Sequence, residues 1–383
     1  MTKARELAKL GEVMTNSQIG GRRNIILNSK MEVAQRSTST QFSGASGFVC
    51  DRYECSNQTD GAITFSQSTD VPSGQGFINS TKINIDTADT SLSGTQHALF
   101  QQKVEGLNSS QLMWGTSNAE NISVSFWIKS SLTGTFTYYA LDQGANSQSY
   151  VQTFTIDSAN TWEKKTFIIE GPTTGGTTDF PITNAISFFT GICLGVGSTH
   201  QTSTTGSWHS TANFAASTSS AVKLIGTASA NMYVTGWQIE LGNQVTPFEH
   251  RSFIDTWNDC QRYCTVYNVG GGQVHAQNLV ANVLNGSSGH VDVANRAEWF
   301  LTYPVKRANP TITVTNATEL RWLSTGNVVQ NGTSDVTFPV GTGIERTNCF
   351  QSVSSGLTTS HHCDYWGHDG GSSYAKLVID AEI

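Results

Sequence analysis

Along "ISVSFWIKSS" (122–131), Ile122, Val124, Phe126 and Ile128 alternate with polar partners. A period of two places successive side chains on opposite faces of an extended chain, so this stretch predicts a half-buried strand. Similar blocks follow at "TFTYYAL" (135–141), "YVQTFTI" (150–156), "KKTFIIEG" (164–171), "ISFFTGICLGVG" (186–197) and "NMYVTGWQIELG" (231–242). Gly, Asn, Ser and Thr separate them. Short strands at this spacing predict an all-β fold, an antiparallel jelly-roll sandwich over 24–248. Trp114, Trp127, Trp162 and Trp237 fall in strand-like stretches and are expected in its core.

The period then changes. In "FIDTWNDCQRYCTVY" (253–267), Phe253, Trp257, Cys260 and Cys264 fall at helical spacing, with Asp255 as the expected cap. A short linking helix is expected within 249–267. Alternation returns in "AEWFLTYPV" (297–305), "NPTITVTNA" (309–317) and "AKLVIDAEI" (375–383), which predicts a second, smaller β domain over 268–383. At the other end, Leu7, Leu10 and Met14 suggest a short N-terminal helix, followed by the linker "NSQIGGRR", so 1–23 reads as an anchor. One heptad suits either an oligomer's anchor or a locally docked terminus.

Between the two β regions lies the joint "TPFEHRSF" (246–253). Pro247 fixes its own φ and disfavours helix at Thr246, so a strand cannot run straight on into a helix. Glu249 and Arg251 could pair across it, but an exposed ion pair contributes only ~0–1 kcal/mol. Apolar packing of Phe248 and Phe253 is therefore expected to hold the joint.

Composition narrows the function classes. Charged residues are 13% of the 383 and aromatic ones 10%. Charge this sparse, against a usual ~25%, with recurrent β-branched and aromatic blocks, describes a folded neutral-polar β protein. A net charge of −7 with no basic run gives no footprint for nucleic acid. No stretch approaches the ~18 apolar residues of a membrane span, and "MTKARELAKLGEV" lacks the apolar core of a secretory signal. No membrane insertion is expected, and export would be by lysis. Seven irregularly spaced cysteines suggest buried thiols in a reducing compartment rather than a disulfide framework or a zinc site.

Catalytic signatures are missing. There is no G-x-S-x-G and no H-E-x-x-H, and Gly270 to Gly272 precede no GK[ST]. Asp142, Asp157 and Asp179 sit in turn-like contexts. No enzyme, cofactor or resident metal is expected.

Two stretches carry candidate binding chemistry. "SHHCDYWGHDGGSSY" (360–374) gathers His361, His362, Tyr365, Trp366, His368, Asp369 and Tyr374, with Cys363 and Asp364. Aromatic faces beside polar groups suit a sugar. The His, Cys and Asp could ligate a metal, although His361 and His362 cannot share a face on a regular strand. The rings could equally be core or subunit interface. The second stretch is the polar loop "GSTHQTSTTGSWHSTANFAASTSSA" (197–221), with Trp208 and His209. It would form a rim site, or pack on its own sheet or a neighbouring subunit.

Several segments together resemble a large family of bacteriophage virion surface proteins, tail fibres among them. "NIILNSKMEVAQRSTS" (24–39) followed by "DRYECS" (51–56) is similar to that family's opening, and "MTKARELA" to the start of phage fibres. "VSFWIKSSLTGTFTYYAL" (124–141), "SYVQTFTIDSANTWEKKTFIIEG" (149–171) and "YVTGWQIELGNQVTPFEHRSF" (233–253) resemble its carbohydrate-binding-module-like jelly roll. "CQRYCTVY" (260–267) resembles its short helix, with Cys264 where a second Tyr is expected. "YPVKRANPTITV" (303–314) and "LVIDAEI" (377–383) resemble its C-terminal β domain. The resemblance implies a structural protein of the virion, assembled in host cytoplasm and extracellular after lysis. It would be a homotrimeric tail fibre, bound to other virion proteins through its N-terminus and touching a host-surface glycan or receptor. A capsid fibre or head decoration protein is the alternative, and a polysaccharide-depolymerising tailspike enzyme the third.

Overall fold

The computed structural model describes residues 22–142, 147–217, 221–269, 289–293, 296–315, 321–324, 328–331, 343–352, 362–367 and 375–382. The expected N-terminal helix lies outside them. The chain divides into two compact units, with the break between Trp257 and Asn258. Among the described residues no helix is long and apolar enough to cross a membrane.

The first unit is a sandwich of two antiparallel sheets. Its front sheet has six strands in the order β1 (Ser39–Ser43), β4 (Ala62–Ser68), β5 (Ser80–Thr87), β15 (Asn231–Leu241), β7 (Ile122–Ser130) and β10 (Glu163–Ile169). Its back sheet runs β13 (Trp208–His209), β9 (Ser149–Ile156), β8 (Gly134–Asp142), β11 (Ile186–Val196), β6 (His97–Glu105), β3 (Tyr53–Asn57) and β2 (Ser46–Phe48). Sequence neighbours such as β5 and β6 lie in different sheets, as in a jelly roll.

The alternation fixes which face is buried. On β7, Ile122, Val124, Phe126 and Ile128 are fully buried, whereas Trp127 and Lys129 are half-buried on the outer face. The two sheets meet at Trp237 of β15. Its ring lies 5.8 Å from Tyr53, 5.7 Å from Phe100 and 5.7 Å from Tyr138 on the back sheet, and 6.0 Å from Phe126 on its own. Around it, the pairing of β15 with β7 shifts register between Thr235 and Gln238. Gly236 at that irregularity has φ +61°. Cys50, Cys55 and Cys193 are buried, and burial pushes each thiol up to about 12.

The polar loop after β11 packs on its own sheet. Phe214 is buried on the outer face of the back sheet with Leu99, Tyr139, Leu141 and Cys193, its ring 5.0 Å from Tyr139. The loop is strapped down by β12 (Gln201–Thr202) pairing in parallel with β14 (Ala215–Ala216), and by β13 pairing with β9. His97 on β6 meets the strap at His200 and Phe214, with ring separations of 5.5 and 5.6 Å. Burial, then the charge of His200, lowers the His97 pKa from 6.5; the Thr95 backbone and Glu54 oppose this without reversing it. The unfolded chain therefore takes up this proton first. Stability contributed by neutral His97 is lost as pH falls below 6.5 towards the folded value. Amide protection over 198–217, measured relative to the intrinsic exchange rate at each pH, should be lower at pH 5 than at pH 7.5, and His97→Asn should remove that difference.

The segment after β15 folds back on the sandwich. The Glu249 carboxylate accepts backbone N–H bonds from Arg23 at 3.1 Å and Asn24 at 2.8 Å, and the Glu249 N–H donates to Gln238 Oε1 at 2.7 Å. The Pro247 carbonyl accepts from the Arg23 guanidinium at 3.2 Å, and the Arg251 carbonyl from the Lys30 ammonium at 2.9 Å. Phe248 packs edge-on against Phe77 at 4.9 Å. The expectation for Phe253 fails: it is 53% exposed, at the first position of the helix Phe253–Gln261. The buried positions of that helix include Thr256 and Cys260, one turn apart, and Cys264 already opens the next strand. The cap is Ser252, not Asp255. Its Oγ accepts the Asp255 N–H at 3.2 Å and donates to the Asp255 carboxylate at 2.6 Å, a reciprocal arrangement that puts the acid inside the first turn.

The second unit is also β. β16 (Cys264–Val269), β24 (Ala375–Asp380) and β19 (Thr311–Thr315) form a three-stranded antiparallel sheet with β24 central. A six-stranded sheet runs β21 (Val328–Asn331), β20 (Arg321–Ser324), β23 (His362–Gly367), β17 (Gly289–Val293), β18 (Arg296–Thr302) and β22 (Arg346–Ser352). Buried Lys306 donates to the Gln261 carbonyl at 2.5 Å, where it meets the negative end of the helix, and also bonds the Thr265 hydroxyl.

Candidate functional site

At one edge of the sandwich the loop 170–175 after β10 faces β13 across an open cleft of about 710 Å3. Trp208 forms a wall. Its ring packs edge-on against Trp114 at 5.4 Å, Tyr150 at 5.8 Å and Phe180 at 5.8 Å. Its indole N–H donates to the Glu170 carbonyl at 2.6 Å. That bond crosses the cleft edge and ties the strap to the 170–175 loop. His209 Nε2 lies 3.1 Å from Ser149 Oγ. Behind them, the Gln148 side-chain amide donates to the Thr174 carbonyl and to buried Asp179, each at 3.2 Å. Burial, and then the charge of Glu170, raises the Tyr150 hydroxyl above its ordinary pKa. Exposed Glu170, Thr173, Thr174, Ser207 and Ser210 line the mouth. A held aromatic ring beside many hydroxyl, amide and carboxylate groups suits a polyhydroxylated ligand.

The C-terminal candidates stand differently. His361, His368, Asp369 and Tyr374 lie outside the described residues. His362, Tyr365 and Trp366 belong to β23, an interior strand, where the backbone pairs His362 with His290 and Tyr365 with Trp322. Among the described residues no group of three or more His, Cys, Asp or Glu is placed to hold a metal ion.

A second constellation lies on the outer face of the front sheet. Trp127 and Trp162 are half-buried there, not in the core, while Trp114 and Trp237 are buried. The Trp162 ring meets Tyr233 at 6.2 Å, and its indole N–H donates to Asp70 Oδ1 at 3.0 Å. The Lys129 ammonium pairs with Asp70 and lies 4.3 Å from the Tyr233 centroid. Burial would raise the Asp70 carboxyl; hydrogen bonds from Lys129 and Trp162 outweigh it and hold the pKa below the ordinary value. Asp70 is thus a fixed, ionised acceptor. The clue was in the sequence: Trp127 stands on the polar side of the 122–130 alternation, beside Lys129.

Fold and surface together define an antiparallel jelly-roll sandwich with a polar, aromatic-walled cleft, joined to a second β unit. The chain matches no family model and no curated protein. Solved structures match at low similarity. One is the enzymatically active domain of a tailspike protein of bacteriophage CBA120, at 12% identity and a TM-score of 0.31, over 57% of this chain and 21% of that one. Another is a putative sugar binding protein from Bacteroides thetaiotaomicron, at 11% identity and 0.31, over 57% of this chain and 100% of that one. A family 11 carbohydrate-binding module from Clostridium thermocellum, in complex with a mixed-linked tetrasaccharide, matches at 9% identity and 0.27, over 56% and 99%. The chain therefore corresponds to about a fifth of the tailspike chain.

Proposed function

We propose that the chain is a surface protein of a bacteriophage particle, a tail fibre that attaches to a host-surface glycan and holds it in the cleft beside Trp208. The observation that carries the glycan reading is the cleft itself: an indole fixed by its N–H to the Glu170 carbonyl, facing a polar mouth of about 710 Å3. The virion reading rests on the resemblance carried by 24–39, 51–56, 124–141, 149–171 and 233–253. Sugar sites of this kind are weak singly. A homotrimer anchored to other virion proteins through its N-terminus would multiply them, raising avidity by ~10²–10⁴ where geometry permits. The second unit would be the distal part of such a fibre.

Trp208→Ala should weaken binding of the best ligand from a glycan array about tenfold, the equivalent of ~1.4 kcal/mol. Thr173→Trp, an exposed position at the mouth, should fill the cleft and weaken binding at least as much without touching the rings behind it. Calorimetric titration reads both. Wild-type affinity in both variants would remove the cleft from the account.

A further inference from the structure

Lys82, Tyr233 and Lys129 stand directly opposite one another on three adjacent strands of the front sheet, β5, β15 and β7. The next row is Thr235, Trp127 and Lys164 on β15, β7 and β10. Trp162 and Asp70 close the near end, joined by the indole–carboxylate bond at 3.0 Å. Lys82, Trp127, Lys129, Trp162 and Tyr233 are half-buried, and Lys164 and Asp70 are exposed. The outer face of the back sheet differs, because the strap lies on it and buries Tyr139 and Phe214 there.

We infer that this outer face is a second sugar-binding surface, separate from the cleft, that takes an uncharged polysaccharide; the inference rests on the glycan reading above. Three half-exposed rings give apolar area against which pyranose rings can lie. The Asp70 carboxylate accepts and the lysine ammonium groups donate, so adjacent hydroxyls of one sugar can be held from both sides. The charges on the face nearly cancel: Lys82, Lys129 and Lys164 stand against Asp70 and exposed Asp86. The Asp70 carboxylate beside the Trp162 ring opposes an acidic chain, and this near balance gives no pull on nucleic acid. A protein partner is disfavoured as well, since lysines are depleted from the cores of protein interfaces. An open sheet face suits the side of a long chain, whereas the cleft suits a short stretch or an end. Together they would give one sandwich two contacts on the same polymer.

The test is affinity electrophoresis of the full chain in gels containing dextran, mannan or galactan, with alginate as the acidic comparison. Wild type should be retarded in at least one neutral gel. Trp162→Ala and Asp70→Asn should each weaken that retardation at least fivefold. The cleft-filled Thr173→Trp variant should keep a residual retardation that is lost when Asp70→Asn is added. Asp70→Asn keeps the side chain's size and an oxygen for the Trp162 indole, and the Lys129 pair that it loses is at an exposed residue and worth only ~0–1 kcal/mol, so its effect cannot be put down to unfolding. If both face variants run like wild type, the second surface is wrong and the cleft reading stands. Retardation in alginate alone would overturn the uncharged class. No retardation of wild type in any gel would overturn both surfaces.

Discussion

Trp237→Ala should lower the stability of the sandwich by about 3–5 kcal/mol, the range for truncating a fully buried large aromatic side chain. Trp237 has no exposure and joins the two sheets by touching Tyr53, Phe100 and Tyr138 on one side and Phe126 on the other. Those rings belong to β3, β6, β8 and β7, whose backbones are held by their own ladders, so they cannot collapse into the void. For a unit of this size that loss corresponds to a fall in its melting temperature on the order of 10 °C. Calorimetry of the full chain reads it. A fall under 2 °C would mean that the sandwich is not held together at this residue.

Gly236→Ala should be costly by two separate effects. The residue has φ +61°, a left-handed conformation that costs a side chain roughly 1–2 kcal/mol. A Cβ there would also come 2.5 Å from the Phe77 ring. Phe77 cannot swing clear, because Phe248 packs on it at 4.9 Å and His250 lies 5.5 Å away. Overpacking of that kind costs about 1–3 kcal/mol, so the total is about 2–5 kcal/mol. The two effects separate in a double-mutant cycle. Phe77→Ala should recover the steric part of the Gly236→Ala penalty and leave the conformational part. Denaturant titration of the four proteins measures this; strict additivity would show that the ring is not the obstacle.

The sandwich was legible because a period of two is a local property. Ile122, Val124, Phe126 and Ile128 name their own face, and the structure buries all four. Trp127 was misplaced because its size and apolar character outweighed its position in the same alternation. The helix cap was misread by three residues: Ser252 and Asp255 bond each other, and both residue types suit a cap. Phe253 looked like part of a buried stripe, but a stripe read from spacing alone does not say where the helix begins. Trp208 and His209 stood out as an aromatic and an imidazole in a long polar loop. Their partners did not. Glu170 is 38 residues away and Ser149 is 60 from His209, and only the fold of the strap brings them together. Asp70 and Trp162, 92 residues apart, were hidden for the same reason. No local pattern carries such pairings, because they depend on which strands become neighbours.

Immunogold labelling of intact phage particles, with antibody raised against the two units of this chain, tests the central claim most directly. Gold at the distal end of the tail is the predicted result. Gold over the head would make the chain a capsid fibre or decoration protein instead. Particles that carry the gene but take no label would contradict the virion reading altogether.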